Sequence, residues 1–122
     1  MHEAASGGSV PIAEILIAKK LNINAKDKLG FTPLHWAVTK HNVDVEELFV
    51  KSGAKLNLRN KKGYTPLHLA VLLGRQDMVE KLVKQGADLN LRDKQHATPL
   101  QLAINSRNNE IARLLRQAGA KE

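Results

Sequence analysis

The sequence predicts an all-α solenoid built from stacked helical repeats. Two observations carry this reading. The stretch Phe31-Thr32-Pro33-Leu34-His35-Trp36-Ala37-Val38 returns as Tyr64-Thr65-Pro66-Leu67-His68-Leu69-Ala70-Val71, and again as Ala97-Thr98-Pro99-Leu100-Gln101-Leu102-Ala103-Ile104, each time after a step of 33 residues. A fixed period of this size is the mark of a stacked array, in which no unit buries its apolar face alone. The composition agrees. Only four residues of 122 are aromatic, so the core must be aliphatic, as thin helical layers require.

Each recurring stretch reads as a helix start. Thr32 offers its hydroxyl to the free N–H groups of the first turn. Pro33 fits the first helical position, where its missing N–H is no loss. Leu34, Ala37 and Val38 then share one face.

The chain opens on a repeat without its front. Shifted back by 33, Met1 takes the place of Leu34, His2 that of His35 and Ala4 that of Ala37. Ser6-Gly7-Gly8-Ser9 reads as a turn. Pro11 opens a second helix whose stripe is Ile12, Ile15, Leu16 and Ala18. Without a loop before it, the segment Met1 to Gly8 is expected to fray. This start fits a piece trimmed from a longer array better than a natural short cap.

Leu21 to Phe31 is extended and then turns, with Gly30 at the tip supplying a positive φ. The segment recurs from Gly53 to Tyr64 and from Gly86 to Ala97. Second helices are predicted over Asp44 to Lys51, Asp77 to Gln85 and about Asn109 to Gln117. Asp44, Glu46 and Glu47 fall in a first turn, where the helix dipole favours anions. The buried faces are Val45, Leu48 and Phe49, then Met78, Val79, Leu82 and Val83, then Ile111, Ala112, Leu114 and Leu115. Gly53, Gly86 and Gly119 stand where a left-handed cap is wanted. Lys20 holds that place in the first repeat, so its helix should end less cleanly. The last repeat reads as an end cap, because Leu72, Leu73 and Val83 become Asn105, Ser106 and Arg116 one period on.

Several chemistries are excluded or disfavoured. There are no cysteines, which removes disulfides, Cys-ligated zinc and cysteine catalysis. The apolar run from Ile12 to Ala18 is too short for a membrane span and carries Glu14. No glycosylation sequon occurs. These features suit an intracellular protein, cytoplasmic or nuclear. The histidines lack ligand spacing, and no nucleophile–base pair, phosphate loop or paired carboxylate stands out, so neither a metal, a cofactor nor catalysis is expected.

Thr-Pro-Leu-His-x-Ala at 32–37 and 65–70, Gly-Ala-x-Leu-Asn at 53–57 and 86–90, and the 33-residue period together resemble the ankyrin-repeat family. The resemblance covers 1–122 as one domain, with a partial repeat over about 1–25 and repeats over 26–58, 59–91 and 92–122. It implies a β-hairpin loop before each antiparallel helix pair, and binding of another protein through hairpin tips and first helices. Some positions depart from the family pattern. His41 and Arg107 replace the glycine that ends a first helix, which Gly8 and Gly74 retain. His96 replaces the tip glycine and must take an unfavourable φ or reshape its loop. Gln101 replaces the motif histidine.

By this resemblance the concave binding strip comprises Lys28, Leu29, Phe31, Trp36, Thr39 and Lys40 in one repeat. The next supplies Lys61, Lys62, Tyr64, Leu69, Leu72 and Leu73, and the third Lys94, Gln95, Ala97, Leu102, Asn105 and Ser106. Three of the four aromatics lie on it, and truncating an anchoring Trp or Tyr at an interface typically costs about 2 kcal/mol or more. The plainer reading is that Phe31 and Tyr64 brace their loops and Trp36 packs on its neighbour. The tips are basic: residues 26–29 carry a net +1, 59–62 a net +3 and 92–95 a net +1, most of the chain's formal +7.

The expected partner is therefore another protein, one with an acidic surface, bound by a monomer that makes no membrane contact. An electrostatic binder of nucleic acid or another polyanion is the alternative, disfavoured because no nucleic-acid motif is present. A purely structural segment of a longer array is the third reading. Leu82, five residues, then Asp88-Leu89-Asn90 also resembles the context in which ankyrin-type proteins are hydroxylated, which makes Asn90 a candidate modification site. The plainer role for Asn57 and Asn90 is to hold their loops by side-chain to backbone hydrogen bonds.

Overall fold

The computed structural model describes residues 1–121. Its helices are α1 (His2–Gly7), α2 (Val10–Ala18), α3 (Pro33–Thr39), α4 (Val43–Lys51), α5 (Pro66–Leu72), α6 (Gln76–Lys84), α7 (Pro99–Asn105) and α8 (Asn109–Gln117). They form successive antiparallel pairs. The first helices α1, α3, α5 and α7 pack side by side in sequence, and more closely than the second helices do. The looseness is greatest between α4 and α6.

Local chemistry sets each start. Thr32, Thr65 and Thr98 cap α3, α5 and α7, each accepting from the N–H three residues on, with proline in the first helical turn. Ser9 caps α2, and this helix begins at Val10, one residue before Pro11. Among the described residues no strand forms. The expected hairpins are tight turns closed across the tip, with Asp27 N–H to the Phe31 carbonyl at 2.9 Å, Asn60 to Tyr64 at 2.9 Å and Asp93 to Ala97 at 2.8 Å.

The core falls into two lobes. One gathers Ala4, Ala5, Ala13, Leu34, Ala37, Val45 and Phe49. The other runs from Val38 and Leu67 through Met78, Val79 and Leu82 to Leu100, Ile111 and Leu115. Small residues at 37, 70 and 103 are fully buried, which lets the first helices approach.

The second-helix stripes are where expected in α4, α6 and α8, but not in α2. Ile12 and Ile15 are more than half exposed and Ala18 is exposed, whereas Ala13 is fully buried. Leu16 and Ile17 pack against the core beside Ala13, so α2 faces the stack through a different side from the one its isoleucines suggest. Leu72 and Leu73 are already exposed, at 43% and 45%, so Asn105 and Ser106 do not replace buried residues. Glu46 is the larger surprise. It is fully buried, at the place taken one and two periods on by Val79 and Ala112.

Four non-glycine residues take left-handed backbone: Lys20 (φ 60°), His41 (58°), His96 (65°) and Arg107 (59°). Each stands where glycine serves in other repeats, so geometry is kept at a local cost of about 1 kcal/mol or more apiece. Past Lys20 the closing bond, Leu21 N–H to the Leu16 carbonyl, is 3.4 Å, against 2.9 Å for Ala54 to Phe49.

Candidate interaction surface

The tip loops are built from one repeated device. The Oδ1 atom of Asp27 accepts from the N–H groups of Leu29 (2.9 Å) and Phe31 (3.0 Å). Asn60 does the same for Lys62 (2.9 Å) and Tyr64 (3.0 Å), and Asp93 for Gln95 (2.8 Å) and Ala97 (2.9 Å). An Asx side chain thus folds each tip onto itself. The tips are then tied to one another. Lys61 N–H donates to the Leu29 carbonyl and Lys94 N–H to the Lys62 carbonyl, both at 3.1 Å, and Lys26 Nζ donates to the Arg59 carbonyl at 2.7 Å. Sequence reasoning passed over residues 27, 60 and 93. Their signal was an Asx residue recurring with the period, two and four residues before the N–H groups it satisfies.

Behind each tip a capping box fixes the first helix. Thr32 Oγ1 accepts from the His35 N–H, and His35 Nδ1 accepts from the Thr32 N–H at 3.1 Å. Nε2–H is then free to donate to the Tyr64 carbonyl of the next tip at 2.8 Å. His68 repeats this toward Ala97 at 3.0 Å. Burial disfavours the imidazolium and pushes His35 down to about 4, and it lowers His68 in the same direction. His2 belongs to the same series: its Nε2 meets the carbonyls of Ala25 (2.8 Å) and Phe31 (3.1 Å). In the third repeat Gln101 Oε1 accepts from Thr98 N–H at 3.0 Å and completes the box without a histidine.

The residues expected on the binding strip divide into three groups. Lys28, Leu29, Lys40, Lys61, Lys62, Leu72, Leu73, Lys94, Gln95, Asn105 and Ser106 are exposed. Phe31, Trp36, Thr39, Tyr64, Ala97 and Leu102 are half-buried. Leu69 is only 8% exposed and belongs chiefly to the core, because it is wedged between the neighbouring first helices. The aromatics also brace. The Trp36 ring lies 4.9 Å from that of Phe31, and its Nε1–H donates to Asp27 Oδ2 at 2.8 Å. Desolvation works against the Asp27 carboxylate, but the bonds from Trp36, Phe31 and Leu29 outweigh it and hold its pKa below the ordinary value.

Between the first two tips lies an open groove of about 390 Å³, lined by Leu29, Phe31, Asn60, Lys61, Lys62, Tyr64 and Leu69. A smaller one of about 240 Å³ follows, sharing Lys61, Lys62 and Tyr64 and adding Asp93, Lys94 and Gln95. Leu29, 57% exposed, forms one rim of the first groove. A larger cavity of about 620 Å³ lies elsewhere, between α4 and α6, lined mainly by side chains of both charges such as Glu47, Asp77, Lys81 and Lys84. There Lys81 pairs with Glu47 and draws its carboxyl below the usual range.

Other polar groups are occupied in structural roles. Arg75 Nη1–H lies 3.2 Å from His41 Nδ1, and His41 Nε2 meets Asp77 at 2.8 Å, which links α6 to the end of α3. Asn24, Asn57 and Asn90 accept at 2.9 Å from the N–H groups of Lys55, Asp88 and Lys121, so Asn90, though exposed, bridges to the chain one repeat on. Among the described residues no three His, Asp or Glu side chains are grouped to hold a metal ion, and no helix is long and apolar enough to cross a membrane.

Compared with known families, residues 1–60 and 45–122 match the model of ankyrin repeats, in three copies. A search of the curated proteins finds no match. The match spans the whole chain and coincides with the period, the capping boxes and the tied tips; the chain belongs to the ankyrin-repeat family, whose members generally serve as protein–protein interaction modules and are typically not enzymes.

Proposed function

We propose that this protein is a non-enzymatic interaction module that docks another protein on the concave face formed by its tip loops and first helices. One observation carries the reading. Leu29 stands exposed on tips that are hydrogen-bonded to one another, and Leu72 and Leu73 stand exposed at the end of the first helix α5. A preformed surface loses little conformational entropy on binding. The basic tips add steering toward an acidic partner.

The net +3 over residues 59–62 favours a second reading, an electrostatic binder of nucleic acid or another polyanion. Salt separates the two, since a polyanion complex weakens steeply as counterions compete. The test is affinity capture from lysate at low and high salt, beside a folded variant carrying Phe31→Ala, Trp36→Ala and Tyr64→Ala. A protein retained at high salt and lost by the variant is the expected result. Capture of nucleic acid alone, released by salt and indifferent to the variant, would replace the first reading with the second.

A further inference from the structure

The three tips are not electrostatically equal. The bracing position holds Asp27 in the first, Asn60 in the second and Asp93 in the third, and all three make the same pair of backbone hydrogen bonds. Folding the loop therefore does not require the amide. Its effect is on charge: the groove between the first and second tips has an apolar floor of Phe31, Tyr64 and Leu69, two exposed lysines on its rim and no carboxylate in its lining. The next groove, which shares Lys61 and Lys62, has Asp93 in its wall. Asp27 stays ionised, but it is not part of the lining of the first groove; its carboxylate is turned to Trp36 and to two backbone N–H groups.

Resting on the reading of this chain as an interaction module, we propose that the groove between the first two tips is the anchor site for an extended peptide segment. The segment places one bulky apolar side chain on Phe31, Tyr64 and Leu69, with an acidic residue beside it for Lys61 and Lys62. The volume of about 390 Å³ lies at the lower end of ligand-sized pockets and suits one or two side chains. An extended chain advances about 3.3 Å per residue, so a carboxylate one or two positions from the anchor reaches the rim. The carboxylate stays partly hydrated there, and its contribution is to selectivity and association rate more than to affinity. The larger cavity between α4 and α6 offers no such complement, because it is lined by acids as well as lysines and Lys81 is already paired with Glu47.

The test uses the full chain and a displayed library of random nine-residue peptides, selected in parallel on the wild type, Asn60→Asp and Asp93→Asn. Asn60→Asp keeps the tip folded, as Asp27 and Asp93 show, and adds one negative charge at the groove. The expected result is enrichment on the wild type of peptides with an apolar residue within two positions of Asp or Glu. Those peptides should lose binding at least about fivefold on Asn60→Asp and not on Asp93→Asn, and should shift the amide resonances of Leu29, Asn60 and Tyr64. Enrichment of acidic peptides without an apolar anchor, indifference to Asn60→Asp, or no enrichment would each overturn the assignment. If a lysate partner is lost by the aromatic variant yet binds Asn60→Asp normally, the interaction-module reading stands and the anchor site falls. If the aromatic variant also retains the partner, both fall.

Discussion

His35 Nε2 lies 2.8 Å from the carbonyl oxygen of Tyr64, 29 residues further along the chain, and so couples one repeat's capping box to the next repeat's tip. The capping contact, in which Nδ1 accepts from the Thr32 N–H, requires a neutral ring, and the Nε2–H then donates forward to Tyr64. Burial enforces this by moving the His35 pKa from 6.5 down to about 4.

The stack should therefore lose stability in acid. In the unfolded chain His35 takes up a proton below 6.5, while the folded state resists until about 4. Stability from this residue is full above 6.5 and falls as pH drops between the two values, by about 3 kcal/mol in all. His68 adds a trend of the same sign. Urea unfolding of the wild type and His35→Gln at pH 7.5 and 4.5 checks this. Gln101 shows that glutamine completes the capping box, so the variant should fold and show a weaker pH dependence. An unchanged dependence would contradict the assignment.

Gly30 and Gly63 should resist substitution while His96 should welcome glycine. A Cβ on Gly30 would sit 2.8 Å from the Lys61 backbone nitrogen, and one on Gly63 2.6 Å from that of Lys94. Both also hold a positive φ. Gly30→Ala and Gly63→Ala must push the tips apart and are expected to cost about 2 kcal/mol or more. His96 takes the same backbone at the third tip and is exposed, so His96→Gly removes strain and should gain about 1 kcal/mol. Thermal or urea melts of the three variants give the comparison.

Glu46 should be a net burden at neutral pH. Its Oε1 accepts from Gln85 Nε2 at 3.2 Å, but its Oε2 is buried without a partner. Burial raises its pKa above 4.5, and the bond from Gln85 and the charge of Lys81 oppose this without cancelling it. The sign is opposite to that of His35: this residue's contribution is most favourable below 4.5 and declines as pH rises through the raised value. Glu46→Val, which copies Val79, should stabilise the protein by about 1 kcal/mol at pH 7 and remove that component. Destabilisation at pH 7 would show that the buried carboxylate holds α4 and α6 together.

Opening of the chain should begin at α1. This helix packs on one neighbouring first helix, α3, whereas α5 lies between α3 and α7. Amides of residues 2–8 should exchange at least about tenfold faster than those of α5. Equal protection would mean that the burial of Ala4 and Ala5, with the bonds from Asn42 to the Ala5 and Ser6 carbonyls, secures this end.

The fold was legible because its signal is periodic. Thr32, Pro33 and Leu34 specify a helix start locally, and their return after 33 residues reports the stacking. Contacts between repeats were less legible. Nothing in the sequence alone shows that Ile12 and Ile15 point away from α4, since both sit at helical spacing and Ala13 is the small residue that fits the close approach. Glu46 was read as a dipole partner because a first-turn acid usually faces water, yet its neighbours in the stack bury it. Leu69 lies one turn from Leu72 on the same helix, and only packing separates a core leucine from an exposed one.

Two charge-insertion variants, compared in the same lysate capture at high salt, test whether binding resides on the tips and first helices. Leu29→Asp with Leu72→Asp alters that face. Ile12→Asp with Ile15→Asp alters an equally exposed apolar face on α2. None of the four is buried, so both variants should fold. The first variant is expected to lose the captured protein and the second to keep it. Loss by the second with retention by the first would place the interaction on α2 instead of the tips and first helices.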